Sequence, residues 1–244
     1  MLKIIKSEHI KLKHTFGGLL PLIAPVVILL IALLLTGGLD NAFPASAWNW
    51  WYIMFLPGML SVLCYLCVKK DKKVKYYNIW LLHTAPEKSW IGKIIYCSLG
   101  LLFSNFLIFL GTFSGGSIFG STISLGGGLA GAFLLSLSYL WEIPLFLFFS
   151  ARFGMFASIF TSMVLSVFGV AALADGNFWW TFPASVPIRL MCPVLGILPN
   201  GLPIPLGSPL YDTNVILPGI ILSIVWFLGM TIGTSLWFKN MEVK

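Results

Sequence analysis

Glu142, in the run YLWEIPLFL, is the one acidic or basic residue set deep inside a long apolar stretch of this chain. A charge at bilayer depth costs roughly 2.5 kcal/mol or more, so such a residue faces a partner or a cavity. Pro144 beside it frees backbone carbonyls and can bend the helix. Two readings stand: a carboxyl that packs helices, protonated or hydrogen-bonded, or a group that touches substrate. Other reactive chemistry is scarce. Cys64 and Cys67 form a C-x-x-C without a neighbouring His or further Cys, which reads as two buried small hydrophobes. Cys97 and Cys192 stand apart, so no disulfide framework is expected. His9, His14 and His83 all lie outside the apolar runs, where none can act as base to an intramembrane serine. There is no H-E-x-x-H and no G-x-x-x-x-G-K-[ST], so neither a zinc protease nor a nucleotide-hydrolysing loop is encoded here. We expect no catalysis, no metal and no cofactor in this chain.

The elements that must position Glu142 are helices in lipid. The 244 residues are 58% hydrophobic and 9% charged, against about a quarter charged in soluble domains. Uncharged runs from Thr15 to Leu39, Asn41 to Cys67 and Ile94 to Trp141 exceed the roughly 20 residues that cross a bilayer. Backbone groups in lipid need internal partners, which predicts helices, and the alternation of a membrane β-barrel is missing. The expected fold is an all-α polytopic membrane protein, one domain over 1–244. Its six spans fall at about 17–36, 50–68, 94–113, 129–149, 153–173 and 215–238.

The net charge of +7 then has a topological explanation, and no nucleic-acid partner is called for. Lys3, Lys6, Lys11 and Lys13 precede the first span, and seven lysines lie between Lys69 and Lys93. Arg152 follows span four, Lys239 and Lys244 follow span six, and Arg189 alone lies on the other face. The positive-inside rule puts both termini and the 69–93 loop in the cytoplasm of a multi-pass cell-membrane protein. No cleavable signal peptide or lipidation motif is evident.

Between the spans, residues 1–14 have Leu2, Ile5, His9 and Leu12 at helical spacing beside lysines, the pattern of an interfacial helix lying on anionic lipid. WNWWY at 48–52 reads as an aromatic belt at the outer boundary. Gly111-x-x-x-Gly115, Gly127-x-x-x-Gly131 and Gly229-x-x-x-Gly233 permit close helix contact. SAR at 150–152 makes a tight cytoplasmic hairpin. The outer segment of about 174–214 carries seven prolines between Pro183 and Pro209, which predicts a structured cap or re-entrant loop and not a span. In it, Asn200-Gly201 is a turn signal, and Arg189 is expected to pair with Asp175 or Asp212. With Asp40 these make the outer face acidic.

The stretch KKDKKVKYYNIWLLHTAPEKSW, from Lys69 to Trp90, gathers charge as nothing else in the chain does. Tyr77, Trp80, Leu81 and Thr84 are spaced i, i+3, i+4, i+7, which predicts a short amphipathic helix parallel to the membrane. Thr84-Ala-Pro-Glu87 reads as a capping box with Thr84 as N-cap and Glu87 at N3. Aromatic side chains beside a rim that includes Lys88 have the character of a docking site. A basic loop that only fixes topology is the alternative.

This layout resembles the permeases of ABC exporters with six helices per subunit. SEHIKLK matches their basic interfacial helix, and WLLHTAPEKSWIGK their cytoplasmic helix after span two. The outer motif PIRLMCPVLGILPNGLPIPLGSPL is similar to that of lantibiotic-immunity permeases of Gram-positive bacteria, their E and G subunits, the E type above all. The resemblance covers the whole chain in layout. It implies a second, related permease subunit, a heterodimer, and a separate ABC ATPase that carries ATP and magnesium. The implied work is expulsion of a lantibiotic peptide from the membrane to the medium. It also implies that Tyr77, Trp80, Leu81, Thr84, Glu87 and Lys88 couple to the ATPase. Glu142, Asp40, Asp175, Arg189, Asn200, Gly201 and Asp212 are then candidates for the substrate path. Two other readings remain: a permease of this class for another peptide antibiotic or a lipid, and a membrane scaffold without transport.

Overall fold

The computed structural model describes residues 1–37, 42–81, 85–170, 179–205 and 207–241. They fold into helices α1 (Leu2–Leu12), α2 (Phe16–Thr36), α3 (Ala42–Trp50), α4 (Leu56–Lys73), α5 (Tyr77–Trp80), α6 (Pro86–Phe119), α7 (Leu125–Tyr139), α8 (Glu142–Arg152), α9 (Met155–Phe168), α10 (Ser185–Leu195) and α11 (Ile216–Lys239). No strand occurs among them; the only β pairing is an isolated bridge between Ile197 and Pro203.

Four stretches are long and apolar enough to cross a membrane: α2, the 32-residue Ala42–Lys73, the 34-residue α6, and Thr213–Lys239. The pair α7 and α8 makes a fifth if its 44° bend is taken as one broken span. Of the expected fifth span, the described residues are helical over the 14 residues of α9 and a wide turn at 169–170, and 171–173 lie outside the described residues. Two boundaries move outward. The second span starts at Ala42 and not at 50, and the third runs from Pro86 to Phe119, so most of the glycine-rich stretch after 111 is helix.

Prolines account for the irregularities. Pro57 has no N–H to give the carbonyl four residues back, and the turn just before it opens to π geometry over Trp51–Phe55, with Leu56 N–H reaching Trp51 O. Pro144 meets the carbonyl of Leu140 in the same way, and α7 breaks from α8 at Leu140–Trp141, the bend its position predicted. In α2, Pro25 leaves the Pro21 carbonyl without its helical donor. Ser104 Oγ of α6 supplies one at 2.8 Å, so the defect becomes a helix–helix tie.

The α3–α4 rod is the most enclosed span, 61% of its apolar window being buried, and α11 is the least, at 17%. That enclosure overturns the aromatic belt. Trp48, Trp51 and Tyr52 are fully buried, and only Trp50 is exposed. Trp51 Nε1 donates to Asn105 Oδ1 at 2.7 Å, and Asn105 Nδ2 donates to Ser136 Oγ at 2.9 Å. A polar chain of that kind is satisfied only inside the bundle. Of the small-residue spacings, Gly111 faces Leu29 and Gly115 faces Phe43, while Gly127 and Gly131 let α10 nest against α7 at Val194 and Leu195. Among the described residues, nothing lies against Gly229 or Gly233.

Candidate functional site at the lysine-rich end

The chain leaves α4 at Lys73 and reverses through Lys75 (φ 50°) and Tyr76 (φ 60°), two left-handed residues that are not glycine. Strain of that kind, of order 1–3 kcal/mol per residue, persists only where the surroundings hold it. Here Tyr76 and Ile79 are buried, and burial pushes the Tyr76 phenol above its ordinary range. The helix that follows, α5, is a single turn and not the longer helix expected. Its predicted stripe divides. Trp80 turns inward and stacks on Phe238 of α11, ring centroids 6.5 Å apart. Tyr77 and Leu81 point outward, Leu81 with 80% of its surface exposed. Thr84 lies outside the described residues.

Phe238 centres the packing beneath this turn. It stacks on Trp90 at 4.6 Å and meets Tyr76 edge-on at 5.6 Å. Trp90 Nε1 donates to Thr234 Oγ1 at 3.1 Å. The capping box needs correction as well. Ala85 occupies the N-cap of α6 and Pro86 its first turn, so Glu87 is too early for the predicted reach. It instead pairs with Lys239 of α11 at 3.0 Å, while Lys88 is exposed.

Behind the turn lies a cluster that the sequence reading missed. Lys93 is fully buried, and its Nζ contacts Asp71 Oδ2, Glu8 Oε2 at 2.9 Å and the Cys67 carbonyl at 3.1 Å. Lys11 Nζ reaches Glu8 Oε1 at 2.8 Å and Asp71 Oδ1 at 3.0 Å. Asn78 Nδ2 donates to Asp71 Oδ1 at 2.6 Å. Two acids and two lysines thus neutralise one another where α1, α4 and α6 meet. This changes the face on which α1 docks. Ile4, Glu8 and Lys11 turn toward the bundle, Ile4 against Gly92, and Leu2 is left 84% exposed. The available signal was two lone acids, Glu8 and Asp71, in segments otherwise wholly basic.

The other candidates do not converge on one path. Glu142 is buried at the α7–α8 break beside Tyr139, and Cys64 Sγ lies 3.7 Å from the neighbouring Ile143 carbonyl; Glu142 Oε2 has no hydrogen-bond partner among the described residues. Cys64 and Cys67 are buried, as expected, and so are Cys97 and Cys192; Cys67 and Cys97 are in contact at 3.5 Å. Arg189 pairs with no described acid. Its guanidinium donates to the Leu210 and Pro209 carbonyls at 2.9 and 3.0 Å, because α10 holds it buried over that turn. Asp212 caps its own turn through Asn214 N–H at 2.9 Å. Asn200 and Gly201 form the expected reversal, with Gly201 at φ 84° and Leu202 N–H on Asn200 Oδ1. Asp40 and Asp175 lie outside the described residues.

A groove of about 830 Å³ opens between α2, α4 and α9, lined by residues such as Leu20, Val27, Met59, Met163 and Val167 with Ser162 and Ser166. None of the described residues that line it is charged, and Glu142 is not among them. No protein family, no curated protein and no solved structure matches this chain.

Proposed function

We propose that this chain is the membrane-spanning subunit of an ABC exporter that protects its cell by expelling a lantibiotic-type peptide. The observation that carries the reading is the pair Tyr77 and Leu81. They are exposed on a one-turn helix whose other side is anchored in the aromatic packing around Phe238. An apolar pair anchored just after Lys73 and Lys75 suits a soluble partner, and in this reading the partner is the ATPase. Segments 1–13, 69–81 and 85–93, Ser150 and Lys239 meet at one end of the bundle through Lys11–Asp71, Lys72–Ser150 and Lys239–Glu87 contacts. That grouping supports a cytoplasmic lysine-rich end, with both termini inside and six spans, α9 being the fifth.

The groove between α2, α4 and α9 suits the apolar part of an amphiphilic substrate or the face of a second permease subunit. The apolar character of its described lining favours a second reading, a lipid in place of a cationic peptide. Co-purifying the chain with the ATPase and the second permease, then measuring ATP hydrolysis, tests both. A cationic lantibiotic should stimulate turnover, and phosphatidylglycerol vesicles without it should not. Stimulation by lipid alone would replace the substrate, and recovery with no ATPase would leave a scaffold.

A further inference from the structure

Asp71 binds the α5 turn twice. Its backbone carbonyl accepts from Val74 N–H at 3.2 Å and Tyr76 N–H at 2.8 Å, and its carboxylate accepts from Asn78 on the turn itself. The same carboxylate is gripped from behind by Lys93 of α6 and Lys11 of α1. The side chains of Asp71 and Lys93 have 1% and 0% of their surface exposed, and that of Glu8, which completes the set, has 3%.

We propose that Asp71 is the positioning residue of the α5 turn: it fixes the attitude in which Tyr77 and Leu81 face outward and passes any displacement of that turn to α4, α6 and α1 together. The physical reason is stiffness. A carboxylate with three charged or polar donors in a dry site cannot slide without leaving a donor unpaired, which is far costlier than losing a surface contact. Two of those donors belong to other helices, so the turn cannot move alone. Asn78 is the exposed end of the linkage and does not contribute to the buried core. The delivery part of this inference rests on the exporter reading; the positioning part does not.

The test has two arms. In the first, the full chain in nanodiscs carries a nitroxide on Leu81→Cys, which labels selectively because the four native thiols are buried. Asn78→Ala should raise the mobile fraction of the label relative to the immobile one about tenfold, the equilibrium worth of one hydrogen bond to a charged group. The apolar double variant Asp71→Leu with Lys93→Met should do the same without lowering the melting temperature, since well-packed apolar groups replace a buried ion pair at little cost and Glu8 keeps Lys11. A label as immobile as in the parent, in both variants, overturns the positioning role. A double variant that melts early makes Asn78→Ala, which leaves the cluster intact, the deciding measurement. In the second arm, unlabelled chains are assembled with the ATPase, and stimulation by the same lantibiotic is read per bound ATPase. Asn78→Ala should reduce it about tenfold by the same bond. Full stimulation with a mobile label would sink delivery and keep positioning. An unmodified chain that binds no ATPase would instead sink the exporter reading, whatever the first arm shows.

Discussion

At the lysine-rich end, α1, α4 and α6 meet through four charged side chains, two of each sign, with Lys93 and Asp71 inside the bundle. At the opposite end, α3 and α10 hold the chain that follows α10 through its backbone carbonyls. Asn49 Nδ2 donates to the Pro199 carbonyl at 2.9 Å, Arg189 holds the 209–210 carbonyls, and Leu198 N–H closes the hairpin on Leu202 O at 2.7 Å. One end depends on side chains that can be paired or unpaired by substitution. The other depends on a backbone path set by proline and glycine. The two ends should therefore fail differently, the first through charge and the second through conformation.

The largest effect is expected from unbalancing the charged end. Lys93→Ala removes the central cation and leaves Glu8 and Asp71 facing each other with Lys11 alone between them. Breaking a buried pair from one side costs about 3–5 kcal/mol, and the loss should appear as a lowered unfolding midpoint in detergent. The double variant without either charge should recover most of it. A single variant as stable as the parent would mean that water already screens the cluster, and the contrast between the ends would collapse.

The second effect breaks the other end. Gly201 sits at φ 84°, and a Cβ there would come within 3.2 Å of Asn49 Cγ. A β-branched residue in that region costs about 1–3 kcal/mol, so Gly201→Val should undo the hairpin and its tie to α3. Protease cleavage between 197 and 203 should rise while the lysine-rich end stays intact. Immunity should be lost as well, because the hairpin flanks the outer exit in the proposed topology, with the ATPase still bound. Resistance equal to the parent's at equal membrane abundance would reduce the cap to a connector.

Much of this was legible in the sequence. Long uncharged runs dictated helices, Pro144 dictated the α7–α8 bend, and Asn200-Gly201 dictated the reversal. The misses share a cause: hydropathy reports that a residue is in the membrane region but not which way it faces. Trp48, Trp51 and Tyr52 carry the composition of a lipid boundary, yet their helix turns them into the core, where Asn105 satisfies Trp51. Lys93 counts toward a charge rule in one dimension, while its burial depends on Glu8, 85 positions away. Trp80 fits a surface stripe by spacing, but α5 ends after one turn and its ring falls against Phe238. Partners on distant elements leave no periodic mark.

Glu142 belongs to neither end, and its substitution sharpens the comparison by showing what a buried acid does without a cation. Glu142→Gln keeps size and hydrogen-bonding capacity and removes the titratable group. Membrane abundance and the unfolding midpoint should hold within about 1 kcal/mol, in contrast to Lys93→Ala. If the carboxyl serves transport, immunity should fall regardless. Full immunity in the Gln variant would leave Glu142 a packing role only.

The smallest effect on stability, and the most informative about function, is expected from Tyr77→Ala with Leu81→Ala. Both side chains are more than half exposed, at 53% and 80%, whereas Trp80 supports Phe238 and would confuse stability with docking. Surface changes away from buried features usually stay within about 0.5 kcal/mol, so the double variant should insert and melt as the parent does. Loss of two apolar side chains from a docking centre removes about 1.5–3 kcal/mol per fully buried residue, enough to weaken association tenfold or more. In the exporter reading, co-purification of the ATPase should therefore drop sharply, and immunity with it. The charged cluster behind the turn is untouched, so a loss of partner binding at unchanged stability would separate the surface that docks from the side chains that hold it in place. Undiminished ATPase recovery and undiminished immunity would mean that the exposed pair contacts lipid or solvent, and the lysine-rich end would then be a topological device alone.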